Sequence, residues 1–526
     1  MLERVVEGWL TSTTEIAFQV PFAQLLTTEG YSVLQGPAHH PFEHGKDIIA
    51  RDPEGRLCVF QLKTGDINVT SLEAIQGQIH AAVTAAVSYP GMDQGKLADR
   101  VLLVCSGTAS PPARDRLHAM NEGYVSKAYA RVELVEMEQL VGRFCRAQAT
   151  AIGIRDLQSL LGLLTSDGSG EFQSGVLLRI LQGQLDTAVV DGGEARIVRA
   201  LSDALLTTAY SMSPWLLCGN HLACAQAWLV AAISVLRCGV RANLQTQRWK
   251  ASFELAVAAA RANLDALVGE ASEVHDLVLP DLSEPLVYPT RALAICGWAS
   301  AYYLSERVCA DPGPSRNLAV SVVQRELPFV KVAGEAGAAY LFAIARLLEL
   351  HDHTKSAIEL TAGWLRTVCQ ANAPKPAPSV SALPNLYYSL EEALQIQCGT
   401  WPEQRTPERF DGRAYTAMQA VDWLAARGAR EPVAAVFREL SRLLHVDVEP
   451  SAPYRWLEMR DDEAVATEML LPCPSSWAEF RRRAATPSTH PLGDYLEQPG
   501  LITPYLGLLL PHRFNRRLAS LLGQMH

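Results

Sequence analysis

The sequence predicts an α/β domain over residues 1–147, a mixed sheet flanked by helices, followed by a large all-α region. Three observations carry this. Before residue 147, short runs of β character alternate with helical stretches. From Gln148 onward that alternation almost vanishes and segments rich in Ala and Leu take over. The chain has 526 residues, 48% of them apolar and 19% charged, which is more than one core but an ordinary globular balance.

Each element follows from its residues. Ser12–Glu29 places Ile16, Phe18, Phe22, Leu25 and Leu26 at helical spacing and stops at Gly30, with Pro21 inside as a source of a kink or a late start. Tyr31–Leu34 reads as a short strand. Lys46–Arg51 and Leu57–Lys63 read as two strands joined by Asp52-Pro-Glu-Gly55, which has the residues of a tight turn. A helix over Ser71–Ser88 ends at Pro90-Gly91. Arg100–Cys105 is a buried strand, and Ala113–Asn121 a helix. Arg131–Val135 and Met137–Arg146 are the last strand and helix of the domain.

Beyond it, eight Ala- and Leu-rich segments, from Glu194–Ala209 to Glu431–Leu444, read as helices without a regular repeat. The Pro-rich run Pro374–Pro378 divides them into residues 148–373, a sensing or assembly module, and 374–526, a C-terminal all-α subdomain.

Composition restricts the function. The net charge of −10 gives no global basic footprint for nucleic acid. Residues 1–147 hold 13 Lys+Arg against 17 Asp+Glu, 13 − 17 = −4, so the α/β domain is acidic too. Eleven cysteines without a Cys-x-x-Cys pair fit reduced, buried thiols of a cytoplasmic protein. The N-terminus carries Glu3 and Glu7 and no apolar core of a signal peptide. The most apolar run, Leu222–Leu236, spans about fifteen residues, too short for a confident membrane span, and reads as a buried helix, so no membrane partner is expected.

The chemistry is concentrated in Gly45-Lys-Asp-Ile-Ile-Ala-Arg51 and Leu57-Cys-Val-Phe-Gln-Leu-Lys63. Side chains two apart on a strand share a face, so Gln61 and Lys63 point one way and Leu62 the other. A hairpin across the turn sets Asp47 opposite Phe60 or Gln61, depending on register. A carboxylate, an amide and an ammonium then converge. That set suits phosphodiester hydrolysis. Mg²⁺ or Mn²⁺ takes oxygen ligands, here Asp47, Gln61 and the Leu62 carbonyl, and activates water, while Lys63 orients the nucleophile or offsets developing charge.

Phe22-Ala-Gln-Leu-Leu26, Gly30-Tyr31, Gly45-Lys-Asp-Ile48 and Gln61-Leu-Lys63 together resemble the Mrr-like branch of the PD-(D/E)xK nuclease superfamily, which includes type IV restriction enzymes and archaeal-type Holliday-junction resolvases. Val101–Val104, Val132–Val135 and Leu140 fall where such domains continue. The resemblance covers residues 10–147 and implies a restriction-endonuclease-like fold and a metal-dependent endonuclease acting on DNA, with Asp47, Gln61 and Lys63 as matching catalytic positions. Where that family places a helical Glu, this chain has Gln19; Glu15 lies one turn earlier on the same face. By analogy with fusions of this kind, the resemblance also implies a bacterial anti-phage or foreign-DNA defence role, with the helical region controlling activity or mediating homo-oligomers or a partner protein. The alternatives are a degenerate nuclease fold serving as a nucleic-acid-binding or scaffold subunit, and a structure-selective repair nuclease.

Other clusters suit blander roles. Cys218-Gly-Asn-His-Leu-Ala-Cys224 lacks a fourth zinc ligand in its apolar setting. His39, His40 and His44 read as a solvated loop, His351-Asp-His353 as a helix cap, and Arg481-Arg-Arg483 as a solvated helix face.

Overall fold

A computed structural model describes most of the chain. Residues 36–45, 88–95, 149–158, 278–286, 372–389, 396–412 and 459–465, with further positions singly or in runs of two or three, lie outside the described residues. The chain forms two compact units, Met1–Ala260 and Arg261–His526.

The first unit opens with α1 (Glu15–Thr28), β1 (Ser32–Gln35), β2 (Ile48–Arg51), β3 (Leu57–Lys63), α2 (Val69–Thr84), β4 (Arg100–Cys105), α3 (Pro111–Val125), β5 (Val132–Val135) and α4 (Met137–Gln148). The strands form one sheet in chain order, antiparallel across β1–β2–β3 and parallel across β3–β4–β5. This is the mixed sheet expected from the sequence.

Both sheet faces are covered, so central β3 is apolar throughout its first half instead of alternating. Leu57 and Val59 pack with Leu72 and Ile79 of α2 and Leu117 of α3. On the other face Phe60 meets Phe22 of α1 edge-on, ring centroids 5.5 Å apart. Truncating a fully buried aromatic such as Phe60 to Ala costs about 3–5 kcal/mol.

Capping side chains set helix ends that differ from the expected ones. Asn68 caps α2 and starts it ahead of Ser71: its Oδ1 accepts from Ser71 N at 2.9 Å while its own N–H donates to Ser71 Oγ at 2.8 Å. Pro111 opens α3, since the first turn needs no proline N–H, so the helix starts within what reads as a turn. Pro21 lies inside α1, which starts at Glu15.

The unit continues with α5 (Ser174–Asp191), α6 (Glu194–Ser211), α7 (Ser213–Leu217) and α8 (His221–Arg241). No compact boundary falls at 147/148. Helix α6 packs on α1 and α4, and Phe144 meets Tyr210 edge-on at 5.9 Å, so the later helices share the core of the sheet domain. Helix α8 extends the apolar run to 21 residues, long enough to cross a membrane, but 89% of its most apolar window is buried against protein. The helix is longer than the apolar run suggests, and it is buried as expected: Ala, Cys and Gly on all sides of α8 serve close packing against α5 and α6. The unit boundary falls within α9 (Thr246–Glu273).

The second unit contains α10 (Val287–Glu306), α11 (Leu318–Glu326), α12 (Ala338–Leu350), α13 (Thr354–Ala371), β6 (Arg413–Ala414), α14 (Ala417–Ala426), α15 (Arg430–Leu440), β7 (Leu444–Pro450), β8 (Ala466–Leu471), α16 (Trp477–Ala484), α17 (Thr503–Leu509) and α18 (Arg516–Gln524). The expected boundary at 373/374 lies outside the described residues. The region is mostly helical but not all-α: β6, β7 and β8 form a three-stranded sheet. The signal lies in Leu444-His-Val-Asp-Val-Glu-Pro450, whose Val residues alternate with polar ones directly after the expected helix Glu431–Leu444.

Candidate functional site

The turn sets the register. Gly55, at φ +82°, donates its N–H to the Asp52 carbonyl at 2.8 Å, and Asp52 Oδ1 accepts from Arg56 N at 2.8 Å. The positive φ is why a glycine stands here. Ile48 then pairs with Phe60, and Asp47 N, just before β2, still donates to the Phe60 carbonyl at 3.0 Å. One more step of this register sets Asp47 against Gln61, resolving the two options the sequence left open.

The side chains converge accordingly. Asp47 Oδ2 accepts from Gln61 Nε2 at 2.7 Å and from the Leu62 N–H at 2.6 Å. Strand N–H and C=O groups of one residue face the same edge, so the Leu62 carbonyl faces the Asp47 side. Gln61 is 2% exposed, and its Oε1 is buried with no hydrogen-bond partner. Lys63, at the strand end, donates from Nζ to Glu15 Oε1 and Oε2 at 3.0 and 2.9 Å. Glu15 is the first residue of α1, and Gln19, one turn later, is buried. The structure thus ties Glu15, rather than Gln19, to Lys63.

No family model, curated protein or solved structure matches the chain.

Three supporting residues escaped the sequence reading. Lys46, 4% exposed, donates from Nζ to the carbonyls of Ala85 and Ala86 at 2.9 and 2.8 Å, just past the end of α2. Burial pulls its pKa down, while the helix terminus favours its charge. This fixes the chain immediately before Asp47; a lysine beside an acid at the head of an apolar run was the available signal. Ser106 N donates to the Lys63 carbonyl at 3.0 Å, and its Oγ accepts from Gly65 N at 3.0 Å. Asp66 accepts from Thr108 N and Oγ1 at 2.7 and 3.0 Å, bonds that hold its carboxyl below the usual range. Gly107 allows this closeness, because a Cβ there would lie 2.5 Å from the Gly65 carbonyl carbon.

Among the described residues, no group of three or more His, Cys, Asp or Glu is placed to hold a metal. The hairpin offers a different donor set: one carboxylate, one amide oxygen and one backbone carbonyl. All are hard oxygens suited to Mg²⁺ or Mn²⁺. The unpartnered Gln61 Oε1 fits that use, since a buried acceptor without a donor is otherwise a cost of about 1–3 kcal/mol.

The other clusters are structural where described. Asn220 caps α8 through Oδ1 to Ala223 N at 3.1 Å, and Cys224 is buried while Cys218 is exposed. Asn220 is the residue that explains that motif. His351 caps α12 and Asp352 adopts φ +64°. Arg481 and Arg482 are exposed, but Arg483 turns inward to Asp422. His39, His40 and His44 lie outside the described residues.

Proposed function

We propose that the chain is a metal-dependent endonuclease of the PD-(D/E)xK type, hydrolysing phosphodiester bonds in DNA. The observation that carries this reading is the meeting of Asp47, Gln61 and the Leu62 backbone at one end of the β2–β3 hairpin, with Lys63 beside them. The mixed sheet supports it, as does agreement between the motif residues and the strands that bear them.

Asp47, Gln61 Oε1 and the Leu62 carbonyl would hold Mg²⁺ or Mn²⁺. When bound, such a cation acidifies a coordinated water and offsets charge on the scissile phosphate. The Leu62 N–H and Gln61 Nε2 hold the Asp47 carboxylate, and Lys46 anchors the backbone just before it. Lys63 supplies a fixed ammonium for the charge that develops on phosphate oxygens, and Glu15 positions it in the absence of substrate. The acidic surface gives no general attraction for DNA, so contact relies on local groups.

Incubation of the full chain with plasmid DNA and Mg²⁺ or Mn²⁺ tests the reading. Cleavage that Lys63→Ala abolishes is expected; equal cutting by that variant overturns it. A second reading, a nucleic-acid-binding subunit without cleavage, is favoured by Asp47 Oδ2 being already engaged by two internal donors. Titration with Mn²⁺ separates the two, because only an active site gives binding that Asp47→Ala removes. The helical elements after residue 148 serve, on this proposal, to control the nuclease or to assemble it with copies of itself or a defence partner in a bacterial cytoplasm.

A further inference from the structure

Five arginines of the second unit, Arg430, Arg438, Arg442, Arg481 and Arg482, are exposed and form no ion pair with any described residue. They sit on or just beside α15 and α16, two helices joined by an aromatic contact. Other arginines nearby are matched: Arg427 pairs with Glu349, and Arg483 and Arg516 share Asp422. The carboxylates of α15 and α16 are Glu431, Glu439 and Glu479, and Glu479 accepts from Ser475 N and Oγ at 2.7 and 3.0 Å. Five arginines against three carboxylates leave two positive charges, in a chain whose net charge is −10. Such a local reversal of sign favours a polyanion.

Aromatic rings lie among these charges. Phe480 of α16 is buried; it meets Phe437 of α15 edge-on, ring centroids 6.3 Å apart, and Trp477 at 6.4 Å. Phe437 is 36% exposed and Trp477 half-buried, so two outer rings reach solvent around a buried one. Helical spacing puts Arg430, Ala434 and Phe437 along one exposed stripe of α15, with Arg438 beside it. On α16, Trp477 and Arg481 are four residues apart and share a face. Glu439, two residues past Phe437, falls on the other flank of α15.

Rings flanked by arginines suit a single strand, whose bases stack on aromatic faces while its phosphates meet cations. A duplex hides its base faces, and an acidic peptide would leave the rings unused. A membrane surface needs more apolar area, because the exposed positions of α15 and α16 besides Phe437 carry only Ala, Arg and Glu431. We propose that this surface binds single-stranded DNA, with bases on Phe437 and Trp477 and phosphates on Arg430, Arg438 and Arg481. The proposal rests on the nuclease reading only for DNA as the polyanion; every residue it uses lies in the second unit.

Fluorescence anisotropy of the full chain in EDTA, with a labelled oligothymidine of about 20 nucleotides, tests it. No cleavage is involved and plasmid cutting is read separately, so either proposal can fail alone. Saturable binding at low salt is expected, with log K falling against log salt at a slope of about −2, three phosphates at about −0.7 each. Phe437→Leu keeps an apolar side chain over Phe480, removes the ring face, and should weaken binding by about tenfold. Arg438→Gln and Arg481→Gln, exposed changes that spare the fold, should each weaken binding and reduce the slope by about 0.7. Three results overturn the site. They are no saturable binding, affinity unchanged by Phe437→Leu or by the two arginine changes combined, and tighter binding of duplex DNA, polyglutamate or phosphatidylserine vesicles at the same salt.

Discussion

The hairpin end in the first unit and the arginine cluster around Asp422 in the second gather charged residues in opposite ways. At the hairpin, Asp47 meets Gln61 and Leu62 across 14 and 15 residues of chain, because an antiparallel pair brings sequence neighbours together through one turn. In the cluster, Asp422 meets Arg483 and Arg516 across 61 and 94 residues, because three helices must first pack. Both pair their charges, Lys63 with Glu15 at the hairpin and Arg483 and Arg516 with Asp422 among the helices. Strand pairing thus writes a site into local sequence, while helix packing hides one.

The largest effect should come from the hairpin. Lys63→Ala is expected to lower plasmid cleavage by about 10³-fold, near 4 kcal/mol of transition-state stabilisation, with thermal unfolding little changed. A variant that loses activity only in proportion to its folded fraction would place Lys63 among structural residues.

Next, Asp422→Asn should destabilise the second unit by roughly 3–4 kcal/mol, because it leaves Arg483 and Arg516 facing each other without their shared carboxylate. Denaturant unfolding measures this. A loss below about 1 kcal/mol would mean that solvent screens the pair.

Titration behaviour sharpens the contrast. Burial pushes the His445 and His490 imidazoles down to about 4. His490 Nδ1 accepts from Leu492 N at 3.0 Å, a bond that protonation would break. Their contribution is complete above about 6.5, the unfolded value, and is lost as pH falls toward 4. Burial raises the Glu335 carboxyl to about 7, although Tyr415 N, Thr416 N and Thr416 Oγ1 all donate to Oε1. That group works in the other sense, adding stability as pH falls from 7 toward its unfolded value, by on the order of 3 kcal/mol. Glu335→Gln keeps the accepting oxygen and removes the proton uptake. The variant should therefore lose stability more steeply than the parent between pH 7 and 4; equal slopes would show that Glu335 is ionised in the fold.

Smaller effects return to the hairpin. Lys46→Met should cost about 1–3 kcal/mol by stranding the Ala85 and Ala86 carbonyls, and should lower cleavage along with Mn²⁺ affinity. Glu15→Gln should change stability by less than about 1 kcal/mol, because the carboxylate is 38% exposed and well screened. A large loss of activity in Glu15→Gln with unchanged stability would move Glu15 from positioning Lys63 to holding the cation.

The amino-acid sequence alone determined the order of elements through α4, the turn at Asp52–Gly55 and the residues meeting at the hairpin, since apolar periodicity, turn chemistry and strand alternation act over a few residues. It carried α10 and α12 to α15 of the second unit, but not the short helices α11, α16, α17 and α18 nor the small sheet, where β6 pairs with β7 across 31 residues of chain and lies inside a stretch that reads as helix. Only tertiary structure decided that Asp47 faces Gln61, that Glu15 rather than Gln19 reaches Lys63, that Lys46 anchors the site, and that Arg483 turns inward. Those outcomes depend on the register of one hairpin and on helix faces meeting at long range, neither of which any single stretch of sequence encodes.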